Sequence, residues 1–214
     1  MTNPQSEIRN PKSVRLGVLG GTFDPLHWAH LLMAEEARTR FDLEKVLFIP
    51  AGDPPHKDYE VSDPEDRYAM ALLGTAENPA FEVSRIEMDR EGPSYSADTL
   101  RELRNTYGPD AGIHFILGAD EALDLPNWHD AESLPDLTRF LVVPRPGFDV
   151  AELKIRLPKR FYDALDFLPM APMEVSATDI RARVASGRSI SYLVPESVEA
   201  YIRKQGLYKE GQTL

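Results

Sequence analysis

Short runs of consecutive apolar residues alternate along the chain with longer stretches in which apolar positions recur every three or four residues. The runs predict strands at 15–19, 45–49, 81–88, 113–118, 139–143 and 165–168. The longer stretches predict helices at 28–41, 63–77, 96–107, 129–135, 176–186 and 195–205. Phe115-Ile116-Leu117 and Phe140-Leu141-Val142-Val143 are apolar without interruption, as strands covered on both faces are. Alternation of this kind predicts βαβ units. The fold class expected is α/β, a doubly wound Rossmann-like parallel sheet with a small C-terminal helical segment. Local punctuation agrees. Ser62-Asp63-Pro64-Glu65 has a capping-box pattern, and Ser94 or Ser96 suits a cap. Gly108-Pro109 and Gly187 stop helices, while Pro195 and Gly206 bracket the last one. The segments 50–62 and 144–149 read as loops after strand ends, where open α/β sheets bind ligands.

Within this frame the stretch from Leu16 to Leu32 carries the most chemistry. An apolar run breaks at Gly20-Gly21-Thr22, a tight turn follows, and His27 and His30 open a helix. Two imidazoles three residues apart share one helix face. They stand in the first turn, where backbone N–H groups lack partners and the helix dipole is positive. Such a place suits a phosphate. A metal reading, with Asp24 or His56 as third ligand, weighs less: no close third ligand is evident and H-E-x-x-H is absent. The glycine pair alone is a weak signal, since neither G-x-G-x-x-G nor G-K-[ST] occurs.

A second phosphate candidate lies at Ser176-Ala177-Thr178-Asp179-Ile180-Arg181, where hydroxyls, helix-start N–H groups and a guanidinium converge. The plain alternative is a serine cap with Arg181 in solvent. Pro54-Pro55-His56-Lys57 places a lysine on a loop stiffened by prolines. Asp120 follows a buried strand, where it suits a ribose or caps the next helix. Trp128 in Leu125-Pro126-Asn127-Trp128 is either core packing beneath a loop or a platform for a flat heterocycle.

Bulk numbers narrow the classes. The chain has 214 residues, 42% of them apolar and 28% charged, enough for one sizeable core. A net charge of −11 argues against broad nucleic-acid binding while leaving a nucleotide substrate open. There is no cysteine, which removes disulfides and thiol chemistry. No apolar run reaches the ~18 residues of a membrane span. Residues 1–13 are polar and read as a loose leader, and 14–214 as a single domain. The expected setting is cytoplasmic, and a homo-oligomer is compatible with the sequence.

Taken in order, these pieces resemble the bacterial nicotinate-nucleotide adenylyltransferases of the nucleotidyltransferase superfamily, with its G-x-F-x-P-x-H-x-x-H signature. The stretch Gly20 to His30, Pro54-Pro55-His56-Lys57, Ser94-Tyr95-Ser96-Ala97-Asp98-Thr99-Leu100, Gly118-Ala119-Asp120, Leu125-Pro126-Asn127-Trp128, Arg145-Pro146-Gly147, Ser176 to Arg181 and Ser189 to Pro195 carry it. Together they span about 15–208. The resemblance implies transfer of the adenylyl group of ATP to nicotinate mononucleotide, giving deamido-NAD and pyrophosphate without a covalent enzyme intermediate. It implies His27, His30 and Arg181 as catalytic residues. Gly20, Gly21, Thr22, Phe23, Asp120, Ser176 and Thr178 would bind ATP. Lys57, Tyr95, Thr99, Trp128 and Arg145 would bind the mononucleotide. Mg²⁺ would come with ATP, and no protein-held metal is implied. Two departures are visible: Ala29 where the family usually has glycine, and Ala177 where it often has serine. Three alternatives stay open here. One is a transferase for phosphopantetheine or nicotinamide mononucleotide; another is a nucleotide sensor without turnover. The third is a fragment related to class I aminoacyl-tRNA synthetases, which the absence of K-M-S-K-S disfavours.

Overall fold

The computed structural model describes residues 14–54, 61–144, 148, 150–171 and 173–209. Six strands form one sheet: β1 (Arg15–Gly21), β2 (Lys45–Pro50), β3 (Phe81–Val83), β4 (Gly112–Gly118), β5 (Arg139–Val143) and β6 (Leu165–Phe167). Their order is β3-β2-β1-β4-β5-β6, and every neighbouring pair is parallel. The helices are α1 (Trp28–Arg40), α2 (Pro64–Thr75), α3 (Ser96–Tyr107), α4 (Ala119–Asp124), α5 (Leu134–Leu137), α6 (Val150–Arg156), α7 (Lys159–Tyr162), α8 (Ala177–Ala185) and α9 (Glu196–Gln205). This is the expected doubly wound α/β fold with a helical C-terminal segment.

Strand periodicity divides the core. Val18, Leu47, Ile49, Phe115, Leu117 and Val142 pack on one face, against residues such as Leu100, Leu103 and Ala122 of α3 and α4. Leu19, Val46, Phe48, Ile116 and Leu141 pack on the other, against Leu31, Ala34 and Ala37 of α1. Alternate side chains of a strand point to opposite faces, so a single buried strand serves both layers. A third cluster joins Met70 of α2 and Ile180 of α8 to Val198 and Ile202 of α9 and to Leu207.

Five sequence expectations are corrected. Strand 81–88 is only Phe81–Val83: the apolar alternation ends at Ser84-Arg85, and Asp89 N–H bonds the Arg85 carbonyl at 2.9 Å to form a turn. Helix 129–135 is broken into short pieces. Pro126 and Pro135 withhold N–H donors, and Asp130 at φ 48° is left-handed. The glycine pair does not break β1, which runs through Gly21; the turn comes later, with Phe23 at φ 51°. The cap of α3 is neither Ser94 nor Ser96 but Tyr95, while the Ser94 hydroxyl oxygen accepts from Gly52 N–H at 2.9 Å and Asp53 N–H at 3.2 Å. Asp63, not Ser62, caps α2 by accepting from Glu65 N–H at 2.8 Å. Helices α4, α6 and α7 are too short for their periodicity to show in the sequence.

Candidate active site

Strand order reverses between β1 and β4, and the crevice above their C-terminal ends is where sheets of this kind hold ligands. Gly20 and Gly21 end β1 there, and Gly118 ends β4. A Cβ on Gly20 would lie 3.4 Å from the Phe115 ring. That ring in turn meets Trp128 edge-on, with centroids 5.9 Å apart. The bare glycine thus sits against an aromatic pair connecting the β1 end to the half-buried Trp128. Beyond Gly21 and Thr22, the Phe23 ring is buried, meeting Phe48 and the edge of His30. Its ring supports the histidine instead of facing solvent.

His27 is the residue before α1 and His30 its third. Their rings stack with centroids 3.7 Å apart and 19° between planes. The backbone N–H of His27 donates to His30 Nδ1 at 3.2 Å. Only an unprotonated nitrogen can accept, so the neutral His30 ring carries its proton on Nε2 and has one donor left. Burial pushes His27 down to about 4. Burial first, then the neighbouring His27, hold His30 well below the usual imidazole range. Both rings are therefore neutral at pH 7. Among the described residues the buried Nδ1 of His27 has no hydrogen-bond partner. A buried polar nitrogen in that state is costly unless a ligand meets it.

The second helix start stands beside the first. Ser176 caps α8, its hydroxyl oxygen accepting from Asp179 N–H at 3.2 Å. Ser176 and Thr178 are exposed. Arg181, one turn on, donates from Nη2 to Thr178 Oγ1 at 3.4 Å and from Nη1 to the Asp24 carbonyl at 2.7 Å. Asp24 lies three residues before His27, so this bond across 157 positions ties the two helix starts together. The chain thereby gathers imidazoles, hydroxyls, helix-start N–H groups and a guanidinium in one region.

The remaining candidates fall elsewhere in the crevice or outside it. Tyr95 stacks on His129, with centroids 4.1 Å apart. Thr99 is fully buried, its hydroxyl donating to Glu87 Oε1 at 2.7 Å and accepting from Arg90 at 2.9 Å. Asp120 is exposed in the first turn of α4. Lys57, Arg145 and His56 lie outside the described residues, as do residues 1–13. Three groups escaped the sequence reading or entered it in another role. Arg67, 1% exposed, donates to the carbonyls of Ser62, Thr22, Ala51 and Gly52 at 2.6–3.2 Å. Glu87 is buried, and that burial raises its carboxyl above the usual range. Asp24, weighed only as a metal ligand, has both carboxylate oxygens in hydrogen bonds to Tyr208 and Ser62. Among the described residues no group of three or more His, Asp or Glu side chains is placed to hold a metal ion.

The family model described as cytidylyltransferase-like matches residues 18–183. A relative from Moorella thermoacetica, named a probable nicotinate-nucleotide adenylyltransferase, is 48% identical over 199 residues, covering 91% of this chain and 92% of its own. One of the same name from Thermoanaerobacter sp. is 44% identical over 205 residues, covering 94% and 97%. A solved structure of Plasmodium falciparum nicotinic acid mononucleotide adenylyltransferase complexed with NaAD superposes with a TM-score of 0.75 over 91% of this chain and 97% of its own. At 17% identity that likeness speaks for the fold alone.

Proposed function

We infer the activity of a chain that belongs to the cytidylyltransferase-like family and, within it, to the nicotinate-nucleotide adenylyltransferases. The enzyme is a nucleotidyltransferase that moves the adenylyl group of ATP to nicotinate mononucleotide, releasing pyrophosphate and forming deamido-NAD. The observation in the molecule that carries this reading is the Arg181–Asp24 bond, which brings two phosphate-suited helix starts to one cleft. A triphosphate needs more than one such cradle.

The proposed chemistry is in-line. A phosphate oxygen of the mononucleotide attacks the α-phosphorus of ATP, and the bond to the β-phosphate bridging oxygen breaks. No side chain forms a covalent bond, so catalysis rests on positioning and on stabilising charge as it develops. His30 Nε2–H is assigned to the α-phosphate and His27 to the adjoining phosphates. Being neutral, they supply directed hydrogen bonds, and the positive charge falls to Arg181. Arg181, Ser176 and Thr178 hold the β- and γ-phosphates and receive the departing pyrophosphate. Gly20, Gly21, Thr22 and the main chain of Phe23 line the adenosine side, and Asp120 binds the ribose. Mg²⁺ is proposed to enter as the ATP complex, held by phosphate oxygens and water.

For the mononucleotide, Trp128 stacks on the pyridine ring beside Tyr95. The Thr99 hydroxyl is committed to Glu87 and Arg90. Backbone N–H groups around Thr99, at the start of α3, are the ones proposed to meet the nicotinate carboxylate. Lys57 and Arg145 are assigned to the mononucleotide phosphate. Residues 14–214 are read as one nucleotidyltransferase domain. A cytoplasmic setting belongs to the same proposal; among the described residues no helix is long and apolar enough to cross a membrane. The test is pyrophosphate release by purified protein with MgATP, comparing nicotinate and nicotinamide mononucleotides. Faster release with the acid is expected. No release with either would reject the reading, and a preference for the amide would reassign the substrate.

A further inference from the structure

We propose that Tyr208 and Asp24 are a positioning pair, through which the turn after α9 latches the β1–α1 loop and keeps the polyphosphate-binding groups in register. The proposal rests on the adenylyltransferase reading for its kinetic part. Asp24 is 2% exposed, and three of its oxygens accept from three separate segments. Oδ1 takes the Tyr208 hydroxyl at 2.6 Å. Oδ2 takes the Ser62 N–H at 3.3 Å, just before α2. The main-chain oxygen takes Arg181 Nη1 at 2.7 Å. The residue that steadies Arg181 is thus itself steadied by Tyr208, 184 positions away.

The direction of the bond is settled by chemistry. Burial, and next the Asp24 carboxylate, raise the Tyr208 hydroxyl well above the usual phenol range, so it keeps its proton and donates. The backbone points the same way. Phe23 at φ 51° and Tyr208 at φ 64° are both left-handed, which is disfavoured for residues with a Cβ. Such conformations persist where surrounding contacts over-determine them. Here α9 stops at Gly206 (φ 73°), Leu207 N–H bonds the Ile202 carbonyl at 3.1 Å, and the next residue delivers the phenol to Asp24. Leu207 shares its apolar cluster with Ile180 of α8. One small core therefore seats both the latch and the helix bearing Arg181. The ring of Tyr208 would suffice for packing; its hydroxyl answers to the buried carboxylate.

The decisive variant is Tyr208→Phe, which keeps the ring and removes one oxygen. Turnover is measured by pyrophosphate release, with active sites counted by titration against Mg²⁺ and the ATP analogue α,β-methylene-ATP. The expected result is a roughly tenfold fall in kcat and a several-fold weaker analogue dissociation constant, with KM for the mononucleotide changed less than twofold. Leu165→Ala, in the edge strand β6 and away from the latch, serves as the packing control: a lower Tm with kcat per active site unchanged. The double variant Tyr208→Phe, Asp24→Ala should lose less than the sum of the single losses, because each single change already breaks the Tyr208–Asp24 bond. Wild-type kinetics in Tyr208→Phe, equal changes in both KM values, or strict additivity would each overturn the pair. Should the unaltered chain release no pyrophosphate, the activity reading fails while the analogue titration still tests the latch.

Discussion

His27 shows how far burial alone can retune a side chain. Its folded value of about 4 lies below the unfolded 6.5, so the unfolded chain accepts a proton that the folded chain refuses. The stability involved is present above pH 6.5 and lost as pH falls toward 4, amounting to about 3 kcal/mol for a shift of that size. Urea unfolding of the wild type and His27→Gln at pH 7 and pH 4.5 should show a shallower pH dependence in the variant; parallel curves would contradict the assignment. Binding of a polyphosphate beside the same imidazole favours its charged form. In NMR titrations its apparent pKa is therefore expected to rise when Mg²⁺ and an ATP analogue are added. His30 makes a different prediction, because its fixed Nε2–H is a preorganised donor. His30→Ala should lower kcat by about 10²–10³-fold, the loss typical of one such donor, with KM little affected. An unchanged kcat in a pyrophosphate-release assay would remove His30 from the α-phosphate.

Among the elements, the loops after β1 and β2 are joined by Arg67 of α2, whose guanidinium bonds the carbonyls of Thr22, Ala51, Gly52 and Ser62. Arg67→Met fills similar space but leaves buried carbonyls without donors. A stability loss on the order of 3 kcal/mol is expected in chemical denaturation. Since both loops border the crevice, KM for both substrates should rise as well. Wild-type stability would mean that water replaces the guanidinium. None of this was legible in the sequence, where Arg67 reads as one more charge in an amphipathic helix. What was legible is local. Gly108, Gly187 and Gly206 each have a positive φ at or just past a helix end, and the helices stop where the glycines predicted. The His27–His30 spacing likewise reveals a helix start without any tertiary knowledge. Glu87, Asp24 and Tyr208 escaped because their roles exist only through contacts at 12 and 184 positions' separation. The strand predicted at 81–88 is longer than β3 because Ile86-Glu87-Met88 resumes an apolar–polar alternation beyond the break at Ser84-Arg85.

At the scale of the molecule, the question is how a chain of net charge −11 holds a triphosphate. The fold answers by concentrating donors where the strand order reverses and by tying α8 to the β1–α1 loop across the crevice. A ligand spanning both cradles should slow amide exchange in both at once, in residues 22–31 and in 176–182. Hydrogen exchange with Mg²⁺ and an ATP analogue, read by mass spectrometry, checks this. The Arg181→Ala variant separates the two halves. The His27–His30 side keeps its own donors, so protection near residues 27–31 should persist. Protection at the start of α8 should largely vanish, because the guanidinium that linked that helix to both phosphate and loop is gone. Loss of protection at both sites would mean the histidines cannot bind phosphate alone. Protection confined to 22–31 in the unaltered chain would mean that α8 takes no part in the site, and the two-cradle arrangement would have to be abandoned.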